Sequence, residues 1–209
     1  MTRSRNSRRW LQEHLNDTCV RRAHRQGYRS RAVYKLIEID QRDRLLHRGM
    51  TVIDLGAAPG SWSQYCAERL GSAGRVIAVD ALPMAPLPGV EMLQADFRDD
   101  MVLTDLVNRL EGRPAHLVLS DMAPNISGLA AIDQPRAMQL AEKALDLARQ
   151  ILVCDGSFLV KGFQGDGFDD YVRGLRGCFR KVVIRKPKAS RERSREVYLL
   201  AQHPVYSKV

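Results

Sequence analysis

The chain has 209 residues, 44% of them hydrophobic, which is enough for one domain with a sizeable core and short for two. Its 33 Lys and Arg stand against 24 Asp and Glu, a formal charge of +9, and that balance points to a polyanionic partner. No apolar run reaches the roughly 18 residues a membrane helix needs, and the four cysteines include no C-x-x-C pair, which leaves a zinc or redox reading without support.

Residues 1–28 read as a basic arm, rich in Arg and only weakly periodic. The opening stretch has charge but no apolar h-region, so it does not read as a signal peptide. Glu13, Asp17 and Trp10 argue against a transit peptide, and a cytoplasmic protein with free thiols is the expectation. From Ser30 the spacing of Ala32, Val33, Leu36, Ile37 and Ile39 predicts a short amphipathic helix, with Ser30 as its N-cap. Strands and helices then alternate. Strands are expected at 51–55, 75–80, 90–94, 116–120 and 157–161, and helices at 61–70, 100–110, 134–153 and 168–175. Two final strands, 181–184 and 196–201, have no helix between them.

This pattern predicts an α/β fold, a seven-stranded, mostly parallel sheet with helices on both faces. The last two strands form an antiparallel hairpin at its edge, the final strand lying beside the fifth. Residues 29–209 form one domain.

Charge is unevenly placed. Residues 1–48 carry 13 basic and 5 acidic side chains, and residues 173–195 carry 10 basic side chains and only Glu192. The stretch between them holds 9 basic and 17 acidic residues. An acidic body with two basic flanks makes one phosphate-binding surface if the fold joins the flanks.

Three segments carry chemistry. The first is DLGAAPGSW, residues 54–62, between a strand and a helix. Gly56 and Gly60 permit a tight turn and a close ligand. The dinucleotide pattern G-x-G-x-x-G is broken by Ala58, and a P-loop would need G-K-[ST]. A nucleoside bearing a positive sulfonium suits such a loop better than a pyrophosphate does. Asp80 ends the second strand, where an acid accepts from ribose hydroxyls. Asp96, beside Phe97, is placed to accept from an adenine amino group. The second segment is LSDMAPN, residues 119–125, after the fourth strand. The third is LVKGF, residues 159–163, which sets Lys161 at the end of a strand otherwise read as buried. An ammonium there needs partners. Lys35 lies on the early helix, and Glu196 begins the last strand.

Lys35, Asp121, Lys161 and Glu196 resemble the K-D-K-E tetrad of ribose 2′-O-methyltransferases. Together with DLGAAPGSWSQ, VIAVD, LSDMAPN, LVKGFQG and REVYLLA, matched in order from about residue 20 to 201, the chain resembles the RrmJ (FtsJ) family. That resemblance implies a Rossmann-like methyltransferase using S-adenosyl-L-methionine. It also implies a target in 23S ribosomal RNA, a uridine 2′-hydroxyl presented on the 50S subunit. By the same likeness Gly60 and Trp62 line the methionine end, Asp80 the ribose and Asp96 the adenine. Asp121 stands between cofactor and catalytic centre, Lys161 is the general base or the group that orients the nucleophile, and Lys35 and Glu196 support it. No metal is implied, and a monomer is the simplest assembly. The alternatives are a tRNA or other RNA 2′-O-methyltransferase, or an RNA-binding ribosome-assembly factor.

Overall fold

The computed structural model describes residues 17–125, 127–191 and 194–205. The first sixteen residues of the basic arm, and Arg193 in the second basic segment, lie outside the described residues. Helix α1, Thr18–Arg25, is capped by Asp17, whose side chain accepts from Cys19 N. Helix α2 is Val33–Asp43. There follow β1 Thr51–Leu55, α3 Ser61–Leu70, β2 Arg75–Asp80, β3 Val90–Gln94, α4 Asp100–Arg109 and β4 Ala115–Ser120. The chain finishes with α5 Ala130–Ile151, β5 Leu152–Phe163, α6 Phe168–Cys178, β6 Phe179–Arg185 and β7 Glu196–Pro204.

The strands form one sheet in the order β3-β2-β1-β4-β5-β7-β6. Every pair from β3 to β5 is parallel, and β7 runs antiparallel to both β5 and β6. Alternation along each strand sends side chains to opposite faces. Ile53, Leu55, Val118, Phe158 and Val160 pack on one face with residues of α4, α5 and α6. Val52, Leu117, Leu119, Leu159, Tyr198 and Leu200 pack on the other with α1, α2 and α3. The expected architecture is present, including the final strand beside the fifth.

Several boundaries differ from expectation. Ser30 stands outside α2, whose N-cap is Ala32; the Ser30 hydroxyl bonds Ala32 N and Ser61 Oγ instead. Helix α1 escaped notice because eight residues with one buried side chain, Ala23, make a weak period. Helix α5 starts four residues early and contains Pro135. Strand β5 begins directly after it, at Leu152, because its register against β4 shifts and lets the D-G pair at 155–156 stay within the strand. All four thiols are free. Among the described residues no helix is long and apolar enough to cross a membrane.

Candidate active site

In a parallel sheet the loops at the carboxyl ends of the strands build the ligand crevice. Strand β7 adds to it for a topological reason. Because it runs antiparallel to β5, its first residues meet the last residues of β5: Phe163 pairs with Glu196 and Lys161 with Tyr198. Helix α2 lies on the same face and brings Lys35.

The four tetrad side chains converge. Lys161 Nζ is 2.8 Å from Asp121 Oδ1 and donates to the Asp121 carbonyl at 2.9 Å. Lys35 Nζ is 2.7 Å from Glu196 Oε1, and Lys161 Nζ is 3.8 Å from Glu196 Oε2. Tyr198, which sequence reasoning missed, completes a ring: its hydroxyl donates to Asp121 Oδ1 at 2.6 Å and accepts from Lys35 Nζ at 3.2 Å. Its position two residues beyond Glu196, on the face of Lys161, was the available signal. Ser190, also unread, donates to Glu196 Oε1 at 2.9 Å.

Two cations and two anions, none more than 16% exposed at the side chain, are tolerable here only because each is paired. Burial pushes the Asp121 carboxyl up, but the charges of Lys161 and Lys35 outweigh it and hold the group below its ordinary value. Burial, then the charges of Asp121 and Glu196, drives the Tyr198 phenol well above its own. Tyr198 therefore stays a neutral donor to Asp121.

The glycine loop lies beside this ring. Gly56 and Gly60 have φ of +74° and +103°, conformations that favour glycine. A Cβ on Gly56 would stand 2.6 Å from Met122 Cγ, so the loop after β1 packs directly on the segment carrying Asp121. Asp80 Oδ2 accepts from Ala58 N at 2.9 Å, and its Oδ1 from Leu82 N at 2.8 Å. The second strand's acid thus anchors the glycine loop.

Trp62 lies in the first turn of α3, directly after the glycine loop. Its ring is buried, donates Nε1 to Ala32 O at 2.8 Å and packs 5.7 Å from the Tyr198 ring. The side chain is committed to the core, and its backbone N–H, in the first turn of α3, is what can face a ligand. Asp96 is not gathered to the tetrad. It is half-buried and forked by Arg98, whose hydrogen bonds pull its carboxyl down to about 2. Phe97 packs against the core.

One buried carboxyl was not singled out. Asp54, inside β1, faces α3 in a row with Leu119, Leu159 and Leu200. Its Oδ2 accepts from Ser63 Oγ at 2.6 Å and its Oδ1 has no partner among the described residues. Burial raises this carboxyl to about 7; the Ser63 bond opposes the rise, and the charges of Asp121 and Asp80 add to it. Asp80 and Asp121 are the carboxylates that border this crevice, and Asp54 lies buried beneath it. Such a site, with a loop of small residues between Gly56 and Gly60 and a ribose-type acid, fits a cationic nucleoside.

The basic flanks meet. Arg31 bonds both Asp17 and the Ala189 carbonyl, and Lys188 N donates to Glu38 at 2.8 Å. Arg185 pairs with Asp43 at 2.6 Å. The loop between β6 and β7 is therefore laid against α2, next to Glu196. Among the described residues no cluster of three or more metal-type ligands occurs.

Comparison with known proteins yields a consistent set. Residues 28–203 match the model of a family described as FtsJ-like methyltransferase. Ribosomal RNA large subunit methyltransferase E of Chromohalobacter salexigens is 61% identical over 199 residues, 95% of each chain. The protein of that name from Cellvibrio japonicus is 54% identical over 202 residues, 97% of this chain and 96% of its own. A crystal structure described as a ribosomal RNA methyltransferase from Plasmodium falciparum superposes with a TM-score of 0.77 at 29% identity, covering 86% of this chain and all of that one.

Proposed function

The chain belongs to the FtsJ-like methyltransferase family, and from that premise we propose that it methylates large-subunit ribosomal RNA at the 2′-hydroxyl of a uridine, with S-adenosyl-L-methionine as donor. The closed ring of Lys161, Asp121, Tyr198, Lys35 and Glu196 beside the glycine loop carries this reading. The substrate is 23S rRNA, presented on the 50S subunit. The enzyme acts as a monomer in the cytoplasm, one methyltransferase domain following a basic arm.

When bound, the cofactor supplies an electrophilic methyl group on a sulfonium. The protein's part is alignment, charge and proton handling. Gly60 and the free N–H groups at the start of α3 receive the methionine end, and Asp80 accepts from the ribose hydroxyls. Asp96 would serve the adenine amino group. Methyl transfer is an in-line displacement, so alignment supplies much of the acceleration. Lys161, at the end of β5, holds the acceptor oxygen. In its neutral form it also takes the departing proton. Asp121 and Glu196 fix Lys161 from two sides, Lys35 and Tyr198 fix those carboxylates, and Lys188, Arg191 and Arg195 bind phosphates.

The test is to incubate the purified protein with labelled S-adenosyl-L-methionine and, in parallel, 50S particles, naked rRNA and tRNA. Label on 50S particles or rRNA at a uridine ribose supports the reading. Label on tRNA alone refutes the substrate, and no label on any RNA refutes the activity.

A further inference from the structure

The loop joining β2 to β3, residues 81–89, contains Pro83, Pro86 and Pro88, which donate no backbone hydrogen bond. Most of it is exposed. Its course is nonetheless set from outside. Arg29 Nη1 donates to Ala85 O at 2.7 Å and Nη2 to Pro86 O at 2.8 Å. The same Nη1 donates to Pro59 O, in the glycine loop, at 3.1 Å. One guanidinium therefore spans the two loops that flank Gly60. The spanning leaves no slack: a Cβ on Gly60 would lie 2.9 Å from Leu87 Cδ1 and 3.1 Å from Arg29 Nη1.

Arg29 is itself held. Its N–H donates to Gln64 Oε1 at 3.3 Å, while Gln64 Nε2 donates to Gly27 O at 3.0 Å. Ser30 meets Ser61 at 2.8 Å, and Trp62 donates to Ala32 O. Residues 27–32 are thus laced to the first turn of α3. On the far side of the frame, Asp80 closes it through Ala58 N. An exposed, proline-rich loop does not hold one course unaided, because the entropy of ordering it must be matched by contacts. Here those contacts come chiefly from one arginine, whose planar fork can serve several carbonyls at once.

We infer that Arg29 is a positioning residue of the cofactor site: it fastens the 81–89 loop to the glycine loop over Gly60 and so preforms the pocket before S-adenosyl-L-methionine arrives. This rests on the reading of that crevice as the cofactor site. A basic residue between the arm and α2 would ordinarily be taken for a phosphate ligand, but its donors are directed at three carbonyls of its own chain.

The experiment is calorimetry of S-adenosyl-L-methionine binding to the full-length protein without RNA, beside thermal melts. Wild type must bind; if it does not, the cofactor-site reading itself fails. With wild-type binding in hand, Arg29→Ala is expected to weaken affinity by about tenfold or more while the melting temperature without cofactor changes by only a few degrees. Arg29→Lys keeps the charge but not the fork and is expected to lose several-fold. Wild-type affinity in both variants overturns the inference. So does unchanged cofactor affinity with a salt slope of RNA binding reduced by about one, the sign that Arg29 had been neutralising a phosphate. Should Arg29→Ala fail to fold, Arg29→Lys decides: reduced affinity upholds the inference and wild-type affinity overturns it.

Discussion

Lys161 Nζ lies 2.8 Å from a carboxylate oxygen of Asp121 and 2.9 Å from the carbonyl oxygen of the same residue. The lysine is gripped by the backbone and the side chain of one residue just past the end of the neighbouring strand β4, which fixes the orientation of its head. Lys161→Ala is expected to lower methyl transfer by at least the 10²–10⁴-fold that general base catalysis is typically worth, with cofactor affinity near wild type. Lys161→Arg separates two roles. A guanidinium cannot give up its proton, so near-normal turnover in that variant would leave Lys161 a fixed positive charge, whereas failure close to that of the alanine variant supports proton transfer. Initial rates on 50S particles, with binding measured separately, decide between them.

Asp80 serves two loops through its two oxygens, Ala58 N on one and Leu82 N on the other. Asp80→Ala is expected to weaken S-adenosyl-L-methionine binding by about 1–3 kcal/mol, the scale of losing charged hydrogen bonds. The glycine loop should also exchange its amide hydrogens faster, since Ala58 N loses its acceptor. Unchanged calorimetric affinity would remove Asp80 from the site.

RNA binding should report the basic loop laid against α2. Replacing Lys188, Arg191 and Arg195 together with Ala is expected to flatten the dependence of log affinity on log salt by roughly 0.7–0.9 for each phosphate that the protein no longer neutralises. An unaltered slope across a salt titration would mean that these residues do not touch phosphates.

Asp54 predicts a pH dependence of stability with a definite sign. Its folded-state carboxyl is raised to about 7 by burial, against an ordinary value of 3.8. The folded protein thus keeps a proton that the unfolded chain has released, and stability falls as pH rises between about 4 and 7. At about 1.4 kcal/mol per unit, the cost above pH 7 reaches at most about 4 kcal/mol. Asp54→Asn keeps an acceptor for Ser63 and removes the titration. In paired melts its stability relative to wild type should therefore grow from near zero at pH 4 to its full value at pH 8. A constant difference across that range would show that Asp54 is ionised in the folded protein at every pH tested.

Much of this protein was legible in its residues. The alternation of apolar segments with glycine-ended helices sufficed for the sheet and its two covered faces, because period is a local property of the chain. Two final strands with no helix between them implied the antiparallel edge. Motifs matched in order suggested which acids and lysines matter. Local pattern put Tyr198 on the same face as Glu196 but could not show its role, which comes from pairing with Lys161 across strands 37 residues apart in sequence. Nor could it show that Trp62 spends its ring in the core, that Asp96 is held by Arg98, or that Arg29 reaches carbonyls 30, 56 and 57 residues away. Sequence by itself determined which side chains the chain carries and the period on which they repeat. Only the tertiary structure decided which of them share a charge, a proton or a carbonyl, since those interactions fall off within a few ångströms and depend on distances that the folded sheet sets.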